Sequence, residues 1–262
     1  MRGVGHLMLP ILDALRYIDE MGSGVTRPCL VYCRHPDSSF GEYVLKLRSE
    51  VRASGLTFEY IAALLAQRLG IEMPEPVLIN LAFDVALAQG HNEDLCNRLS
   101  RSVGLNFGTR YLPGLTTWAP DRRVPPSIAQ RAAELLAFDA LIDNADRRQE
   151  KPNVLVGSDR VVAIDHELAF SFLRLISVPR SWLDRLSFLR THPFYHGLKG
   201  RLPGLAAFKS RLVELDDAAI DEICGGVPSE FPQESCARIA EHLRQVREDA
   251  DRFVQGIEEV LG

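Results

Sequence analysis

The segment spanning residues 138–170 constrains this chain more than any other, because polar side chains recur in it at the ends of apolar runs. Asp146 follows a helix-like segment, and Asn153 comes seven residues later and opens a short apolar run. Residues 157–159 (GSD) predict a hairpin turn, since Gly, Ser and Asp tolerate tight backbone angles, and a second apolar run leads to Asp165. Carboxylate and amide oxygens are hard ligands that suit magnesium, and one carboxylate remains to orient a hydroxyl. The sequence therefore predicts a metal–phosphate site on a strand hairpin.

Lys46 is a basic residue within an alternating, strand-like segment over residues 40–47. An ammonium among apolar neighbours is unfavourable unless it has a partner, although for a lone lysine a position facing water at a sheet edge is the simpler explanation. Residues 56–69 repeat apolar side chains at helical spacing and predict a helix with Glu59 in its first turn. Glu59 is therefore expected either to stabilise the helix start through the helix dipole or to pair with Lys46.

Residues 21–28 (MGSGVTRP) predict a flexible turn. The small side chains among Ser23, Gly24, Val25 and Thr26 would let backbone amides approach a phosphate group. An ordinary β-turn explains the two glycines about as well, so the turn alone leaves both interpretations open.

Taken together, these segments resemble the HipA-like protein kinases, in the branch of short chains that carry only the kinase core. The matching segments are residues 23–28 (SGVTRP), 144–147 (NADR), 152–155 (PNVL) and 163–167 (AIDHE). Type II phosphatidylinositol 4-kinases have a similar N-x-D-R…N…I-D arrangement. The pattern therefore indicates a kinase-like superfamily rather than one substrate.

The resemblance implies an α+β, bilobal protein-kinase-like fold with a small β-rich N-lobe and a larger, mainly helical C-lobe. The N-lobe is expected over residues 21–114, with the glycine loop, the lysine strand, the glutamate helix and the hinge. The C-lobe is expected over residues 115–262, with the catalytic loop and the metal aspartate. Residues 6–20 repeat apolar side chains at helical spacing, which predicts an amphipathic N-terminal helix within residues 1–20.

The resemblance also implies roles for individual residues. Asp146 would be the catalytic base because the aspartate of the family's N-x-D-R motif aligns there, although Asp143 is plausible on chemistry alone. Lys46, paired with Glu59, would contact the nucleotide phosphates. The expected metal ligands are Asn153 and Asp165, and the expected nucleotide-binding residues are Ser23, Gly24, Val25, Thr26, Lys46, Phe107 and Tyr111.

Two further pairs of residues allow more than one interpretation. Asp139 lies four residues before Asp143, a spacing that fits either a metal motif or a solvated, mildly repulsive face. Because the family places catalysis after this helix, Asp139 is expected to be structural. His192 and His196 are also four apart and could hold a metal on a helix, but Pro193 between them favours a packed loop.

Several positions depart from conventional eukaryotic-type kinases. Ala145 replaces the arginine that precedes the catalytic aspartate, and residues 165–167 read DHE where those kinases have D-F-G. The aspartate-to-asparagine spacing of seven residues is longer than in the H-R-D-x-x-x-x-N motif, and no A-P-E segment follows. These departures agree with the HipA-like branch.

Composition limits the classes of partner. The net charge of −5 argues against a broad nucleic-acid-binding surface, and no run approaches the ~18 apolar residues of a membrane span. The five cysteines are odd in number and scattered, so no disulfide framework is implied and a cytoplasmic location is expected. We therefore expect neither a nucleic-acid partner nor a membrane, and the family resemblance implies a bacterial protein.

The function that these features favour is an ATP- and Mg²⁺-dependent kinase acting on a Ser or Thr hydroxyl of a protein. Alternatives are a nucleotide-binding pseudokinase that works by interaction, a lipid or small-molecule kinase, and transfer of the adenylyl group of ATP. Only about twenty residues precede the glycine loop, whereas full-length HipA-type toxins carry a separate N-terminal subdomain. A protein partner that supplies this subdomain is therefore a further expectation.

Overall fold

The structure is a computed structural model that describes residues 8–22, 26–52, 54–86, 93–120, 122–174 and 182–262. Helices and strands are mixed throughout these ranges, in agreement with the predicted α+β class. Three of the predicted nucleotide-binding residues, Ser23, Gly24 and Val25, lie outside the described residues.

A closed barrel of five strands forms the N-terminal half of the described chain. The strands are β1 (Ile11–Glu20), β2 (Cys29–Arg34), β3 (Phe40–Lys46), β4 (Pro76–Leu81) and β5 (Gly104–Arg110). Their order is β1–β2–β3–β5–β4, and neighbours are antiparallel except β1 and β4, which are parallel. Alternate residues such as Cys29, Val31 and Cys33 are buried in the barrel core, because successive side chains of a strand face opposite sides.

The predicted helix over residues 1–20 is wrong where the structure can be compared with it, because residues 11–20 form strand β1. Leu12 and Ala14 are buried in the barrel, whereas Ile11 and Leu15 remain exposed. The apolar side chains fit a helical stripe as well as a strand, and pairing with both β2 and β4 decides in favour of the strand.

Helix α1 (Gly55–Leu69) agrees with the predicted helix over residues 56–69 and belongs to the larger of two hydrophobic cores. It ends at Gly70, whose φ of +67° is the left-handed conformation that glycine adopts without strain. Phe58 of α1 contacts Phe170 edge to face, with ring centroids 5.5 Å apart. The helix thereby joins the barrel to the C-terminal half.

The C-terminal half is mainly helical and contains a small sheet. The sheet has the order β6 (Thr116–Thr117), β7 (Val154–Val156), β8 (Val161–Ala163). Within the described ranges, the helices that follow α1 are α2 (Phe83–Ala86), α3 (Glu93–Arg101), α4 (Ala129–Leu141), α5 (Tyr195–Leu198), α6 (Ala206–Val213), α7 (Asp217–Gly225), α8 (Cys236–Glu248) and α9 (Ala250–Leu261). Short 3-10 helices cover Pro126–Ile128, Ser171–Arg174 and Trp182–Thr191.

The hairpin predicted around residues 157–159 is confirmed, since β7 and β8 pair antiparallel on either side of it. Among the described residues, no helix has both the length and the apolar composition that crossing a bilayer requires.

Candidate active site

A cavity of about 500 Å³ opens where residues of the barrel and of the β7–β8 hairpin come together. Part of its lining is apolar and aromatic, from Val44, Met73, Phe107, Tyr111, Leu155 and Ile164. The rest is a cluster of charged and amide side chains, from Lys46, Glu59, Lys151, Asn153, Asp165 and Glu167. A cavity with an apolar wall and convergent polar groups is the usual form of a small-molecule site.

Lys46, the last residue of β3, lies among three carboxylates. Its Nζ forms an ion pair with Glu59 Oε1, lies 2.5 Å from Asp165 Oδ1 and lies 3.9 Å from Glu167 Oε2. Burial alone would lower the pKa of Lys46, but the neighbouring carboxylates, Glu59 foremost, raise it above its usual range. The ammonium therefore remains charged, and the pairing with Glu59 that the sequence predicted is present.

Glu59 is buried in α1, where it accepts two hydrogen bonds. One comes from Lys46, and the other from the backbone N–H of His166 at 2.9 Å. Burial would raise the pKa of Glu59, but Lys46 and His166 lower it below its usual range. Helix α1 begins at Gly55, so Glu59 lies beyond the first turn and does not have the dipole-stabilising role that the sequence left open.

Asn153 and Asp165 are brought together by the hairpin, because one lies directly before β7 and the other shortly after β8. Ile164 N–H donates to Asn153 O at 3.0 Å, which continues the ladder, and Asn153 Nδ2 donates to Asp165 Oδ2 at 3.0 Å. Both residues have positive φ, +48° and +61°. Asn and Asp tolerate this region better than other side chains, and such backbone strain concentrates at functional sites.

Asp146 lies in the loop between α4 and β7, with 15% of its side chain exposed. Its Oδ2 is 2.7 Å from Lys151 Nζ, which in turn is 3.3 Å from Asp165 Oδ2. Asp146, the predicted base, and Asp165, a predicted metal ligand, therefore both contact the ammonium of Lys151, whose side chain lines the cavity.

Asp143, the alternative base, is buried and occupied elsewhere. Its Oδ2 accepts hydrogen bonds from Ser171 Oγ and from the backbone N–H of Phe172, both at 2.7 Å, and lies 3.5 Å from Arg185 Nε. These contacts hold the segment after Asp165 in place. Asp143 is therefore a structural carboxylate in this arrangement, and Asp146 is the one next to the cavity.

The sequence interpretation gave no role to Arg147, nor to Lys151 and Glu167, which line the cavity. The guanidinium of Arg147 is fully buried, with Nε 2.6 Å from Asp139 Oδ2 and Nη2 donating to His166 Nε2 at 2.8 Å. Nη1 donates to the carbonyls of Asn153 and Ile164, the latter at 3.1 Å. A charged residue on the apolar face of a helix needs a buried partner, so Asp139 was the sequence signal that could have identified this pair.

His192 completes the buried network around Asp139. It is packed in the protein interior, in agreement with the packed loop that the sequence favoured over a metal site. Phe194 N–H donates to His192 Nδ1 at 3.2 Å, so the other ring nitrogen carries the proton and donates to Asp139 Oδ2 at 3.1 Å. Burial lowers the pKa of His192 below its usual range, whereas the pKa of Asp139 is held low by Arg147 and His192 against the effect of burial.

His242 of α8 supports the end of α4, which leads into the loop that carries Asp146. Its Nε2 donates to Leu141 O at 2.8 Å, and its ring lies 4.6 Å from that of Phe172. Burial lowers the pKa of His242 from 6.5 to about 4.

Acid is therefore expected to destabilise the fold through His242. Below about pH 6.5 the imidazole of His242 binds a proton in the unfolded chain but stays neutral in the native chain. The free energy of unfolding therefore falls by roughly 1 kcal/mol per pH unit until the native imidazole titrates. Urea unfolding between about pH 7.5 and about pH 5 should show a shallower loss for His242→Gln than for wild type. His196→Gln, at an exposed histidine, is the control and should match wild type. Equal slopes in all three proteins would contradict this prediction.

The cavity fits a hard divalent cation. Asp165 offers a carboxylate and Asn153 an amide oxygen, and Glu167 Oε2 is buried with no hydrogen-bond partner among the residues that the structure describes. In the part of the chain that the structure describes, no three His, Cys, Asp or Glu side chains form a metal site by themselves. Carboxylate and amide oxygens are the ligand types that hard divalent cations accept.

Comparison with known proteins gives one family and several solved structures, two of which are named below. The family model of the HipA-like kinases matches residues 15–254. No curated protein matches the sequence. A Helicobacter pylori proinflammatory kinase, CtkA, aligns over 95% of this chain and 97% of its own, with 11% identity and a TM-score of 0.49. The Golgi casein kinase with Mn and ADP bound aligns over 97% of this chain and 73% of its own, with 11% identity and a TM-score of 0.47.

Proposed function

The chain belongs to the HipA-like kinases, a family of phosphotransferases, and we propose that it transfers the γ-phosphoryl group of ATP to a Ser or Thr hydroxyl of a protein. The observation that supports this most directly is an unbroken series of contacts along the cavity. Asp146 contacts Lys151, Lys151 contacts Asp165, Asp165 contacts Lys46, and Lys46 contacts Glu59. Phosphoryl transfer requires positioning and charge stabilisation more than covalent chemistry from the protein, and this series provides both.

The nucleotide would occupy the cavity with its base among the apolar and aromatic side chains. Phe107 and Tyr111 line this part, and Thr26, the described member of the predicted glycine loop, lines the same cavity. Lys46 would neutralise the phosphates that are not transferred, and its buried pairing with Glu59 fixes the ammonium in that position.

The reacting end would lie between Asp146 and the hairpin. Asp146 would accept a hydrogen bond from the substrate hydroxyl and orient it for attack. Asn153 and Asp165 would hold magnesium, which when bound would neutralise charge on the phosphate oxygens. The buried Arg147 donates hydrogen bonds to the backbone carbonyls of Asn153 and of Ile164, the residue before Asp165. Both proposed ligands would therefore be positioned before nucleotide binds.

The test is transfer of label from γ-labelled ATP in the presence of magnesium, comparing wild type with Asp146→Asn. We expect label in protein with wild type and a loss of about 10²–10⁴-fold in the variant, the range of general-base contributions, with ATP affinity retained. Asp159→Asn, at an exposed aspartate of the hairpin turn, is the matched control and should transfer label like wild type.

Three other outcomes would contradict the proposal. Transfer of label from the α-position with AMP added to the product would indicate adenylyl transfer. Label found only in a lipid or small molecule would indicate a different acceptor. Magnesium-dependent ATP binding without transfer to any protein of a cell lysate would indicate a nucleotide-binding interaction module.

A further inference from the structure

A buried arginine of α3, Arg98, contacts both ends of the connection between β1 and β2. Its Nη1 donates to Glu20 Oε2 at 2.5 Å, at the last residue of β1, and its Nη2 donates to Arg27 O at 2.6 Å, two residues before β2 begins. Only 4% of the Arg98 side chain is exposed. We call residues 20–22 and 26–28 the stems of this connection. One guanidinium therefore sets the separation of the two stems.

The stems form part of the cavity wall. Met21, Thr26 and Pro28 line the cavity together with Lys46. Met21 N–H donates to Pro28 O at 2.7 Å, which joins the two stems directly. The sequence predicted phosphate contacts for this connection, so the position of the stems decides how closely the wall can approach the phosphates of a nucleotide.

The same arginine contacts the segment that follows the lysine strand. Arg98 Nε lies 3.3 Å from Glu50 Oε2, four residues after Lys46 in the chain. Glu50 N–H donates to Leu47 O at 2.9 Å, and Ser49 Oγ donates to Arg98 O at 3.2 Å. Helix α3 thus contacts the stems on one side and the end of β3 on the other. It thereby fixes the stems relative to the Lys46 ammonium.

Arg27 adds a second contact between the stems and α3. Its Nη1 lies 2.8 Å from Asp94 Oδ2, and its Nη2 lies 3.8 Å from Glu50 Oε2. The φ of Arg27 is +32°, a value that residues other than glycine rarely adopt. Such a conformation persists where the surrounding contacts determine it. Here these are the bond from Arg98 to the Arg27 carbonyl and the ion pairs of the Arg27 side chain.

A purely structural role for Arg98 would be to attach α3 to the barrel. Leu95 and Leu99, on the same face of α3, are buried in the barrel core and already make that attachment. A buried ion pair often stabilises a fold no more than apolar side chains of similar volume. What Arg98 provides beyond the two leucines is therefore the arrangement of the groups that it contacts.

We propose that Arg98 is a positioning residue, which holds the stems at a fixed distance from Lys46 so that the cavity fits the phosphates of a nucleotide; this inference rests on the proposed function. The apolar part of the cavity, lined by Phe107 and Tyr111, does not depend on these contacts. Loss of Arg98 should therefore weaken the binding of phosphates and spare the binding of the base.

The test compares the affinities of Arg98→Met, Arg98→Lys and wild type for adenosine and for magnesium–ATP, measured by calorimetry. For Arg98→Met we expect magnesium–ATP to bind about tenfold more weakly, as when the competent arrangement falls to about a tenth of the population. Adenosine, which has no phosphate, should bind as to wild type. The KM for ATP should rise by a similar factor with a smaller change in kcat. Arg98→Lys should recover part of the loss, because it keeps the charge without the planar fork.

Hydrogen exchange of the protein without nucleotide tests the contacts themselves. The Met21 amide, which bonds to Pro28 O, should exchange faster in Arg98→Met than in wild type. Arg101→Met is the matched control, because Arg101 belongs to the same helix but is exposed, and it should match wild type in every measurement. Val31→Ala, in the barrel core, controls for stability: it should lower the melting temperature and leave the ratio of the two affinities unchanged.

Three results would overturn the proposal. The first is wild-type affinity of Arg98→Met for magnesium–ATP. The second is an equal loss of affinity for adenosine and for magnesium–ATP, which would indicate a general disturbance of the fold. The third is unchanged exchange of the Met21 amide. Failure of the proposed function would look different: wild type would bind ATP and transfer no phosphate, while the affinity ratio and the exchange would still report on Arg98.

Discussion

Replacing Arg147 by methionine is expected to lower the free energy of unfolding by about 3–5 kcal/mol, the loss typical of removing one partner of a buried ion pair. Both side chains of the Arg147–Asp139 pair are fully buried. Without the guanidinium, the Asp139 carboxylate keeps, among the described residues, Asn144 Nδ2 at 2.8 Å and His192 Nε2 at 3.1 Å, neither of which supplies a fixed positive charge. Urea unfolding monitored by circular dichroism would measure the loss.

The chain offers a closely matched control for this prediction. Arg160 Nε lies 2.6 Å from Glu72 Oε1, the same distance as in the buried pair, but 42% and 34% of the two side chains are exposed. Arg160→Met should therefore change the free energy of unfolding by about 0–1 kcal/mol. Adding Asp139→Asn to Arg147→Met should recover part of the lost stability, because it removes the uncompensated charge. Equal losses for Arg147→Met and Arg160→Met would contradict the prediction.

The same substitution should reduce activity, because Arg147 connects the core to Asn153 and Asp165, the two residues that we propose as metal ligands. Its Nη1 binds the carbonyls of Asn153 and Ile164, the second of which directly precedes Asp165. These contacts hold a backbone in which Asn153 and Asp165 both have positive φ. Arg147→Lys keeps the charge but lacks the planar guanidinium that donates to several acceptors at once. Its activity should therefore be closer to that of Arg147→Met than to that of wild type.

Local patterns in the sequence were sufficient to predict how the hairpin places Asn153 and Asp165. Residues that flank a two-stranded hairpin are adjacent whatever the rest of the fold does, because antiparallel pairing fixes their register. The apolar stripe of α1 and the strand that carries Lys46 were predictable for a similar reason, since each has a clear period. The contact between Lys46 and Glu59 then required only that the helix pack across the strand.

Contacts between distant segments were less predictable. The apolar residues of β1 fit a helix or a strand, and only pairing with β2 and β4 distinguishes the two. Residues 237–261 repeat apolar side chains at helical spacing, yet they form two helices, α8 and α9, interrupted at Asp249. Both are amphipathic, so the helical period continues through the break and gives no signal of it. Tertiary packing decided each of these cases.

The basic loop over residues 147–152 shows a different limit. Arg147 and Arg148 are neighbours of the same type, yet one is fully buried and the other has 53% of its side chain exposed. Lys151, three residues further on, faces the cavity. A run of charged residues normally indicates a solvated surface. Only the fold shows which members have buried partners, because the partners of Arg147 come from α4 and from the hairpin.

Asp165→Asn is expected to reduce phosphoryl transfer by about 10³-fold or more, which corresponds to roughly 4 kcal/mol of transition-state stabilisation. Asp165 is the carboxylate that contacts Lys46 and Lys151 and accepts a hydrogen bond from Asn153. Burial would raise its pKa, but the two lysines hold the pKa well below its usual range, so the group is charged and ready to bind a metal. An amide at this position keeps the shape and loses the charge that a divalent cation requires.

The two contributions of Asp165 can be separated by measuring ADP affinity with and without magnesium. In wild type, magnesium should tighten ADP binding, whereas in Asp165→Asn it should have little effect. Affinity for ADP without metal should be retained or increased, because the variant removes a negative charge from beside the phosphates while Lys46 keeps its contact with Glu59. Asp159→Asn, on the same hairpin but exposed to solvent, should behave like wild type in both measurements. Retention of the magnesium effect in Asp165→Asn would show that the metal is held elsewhere, and Glu167 Oε2, buried 3.9 Å from Lys46 Nζ, would then be the first atom to test.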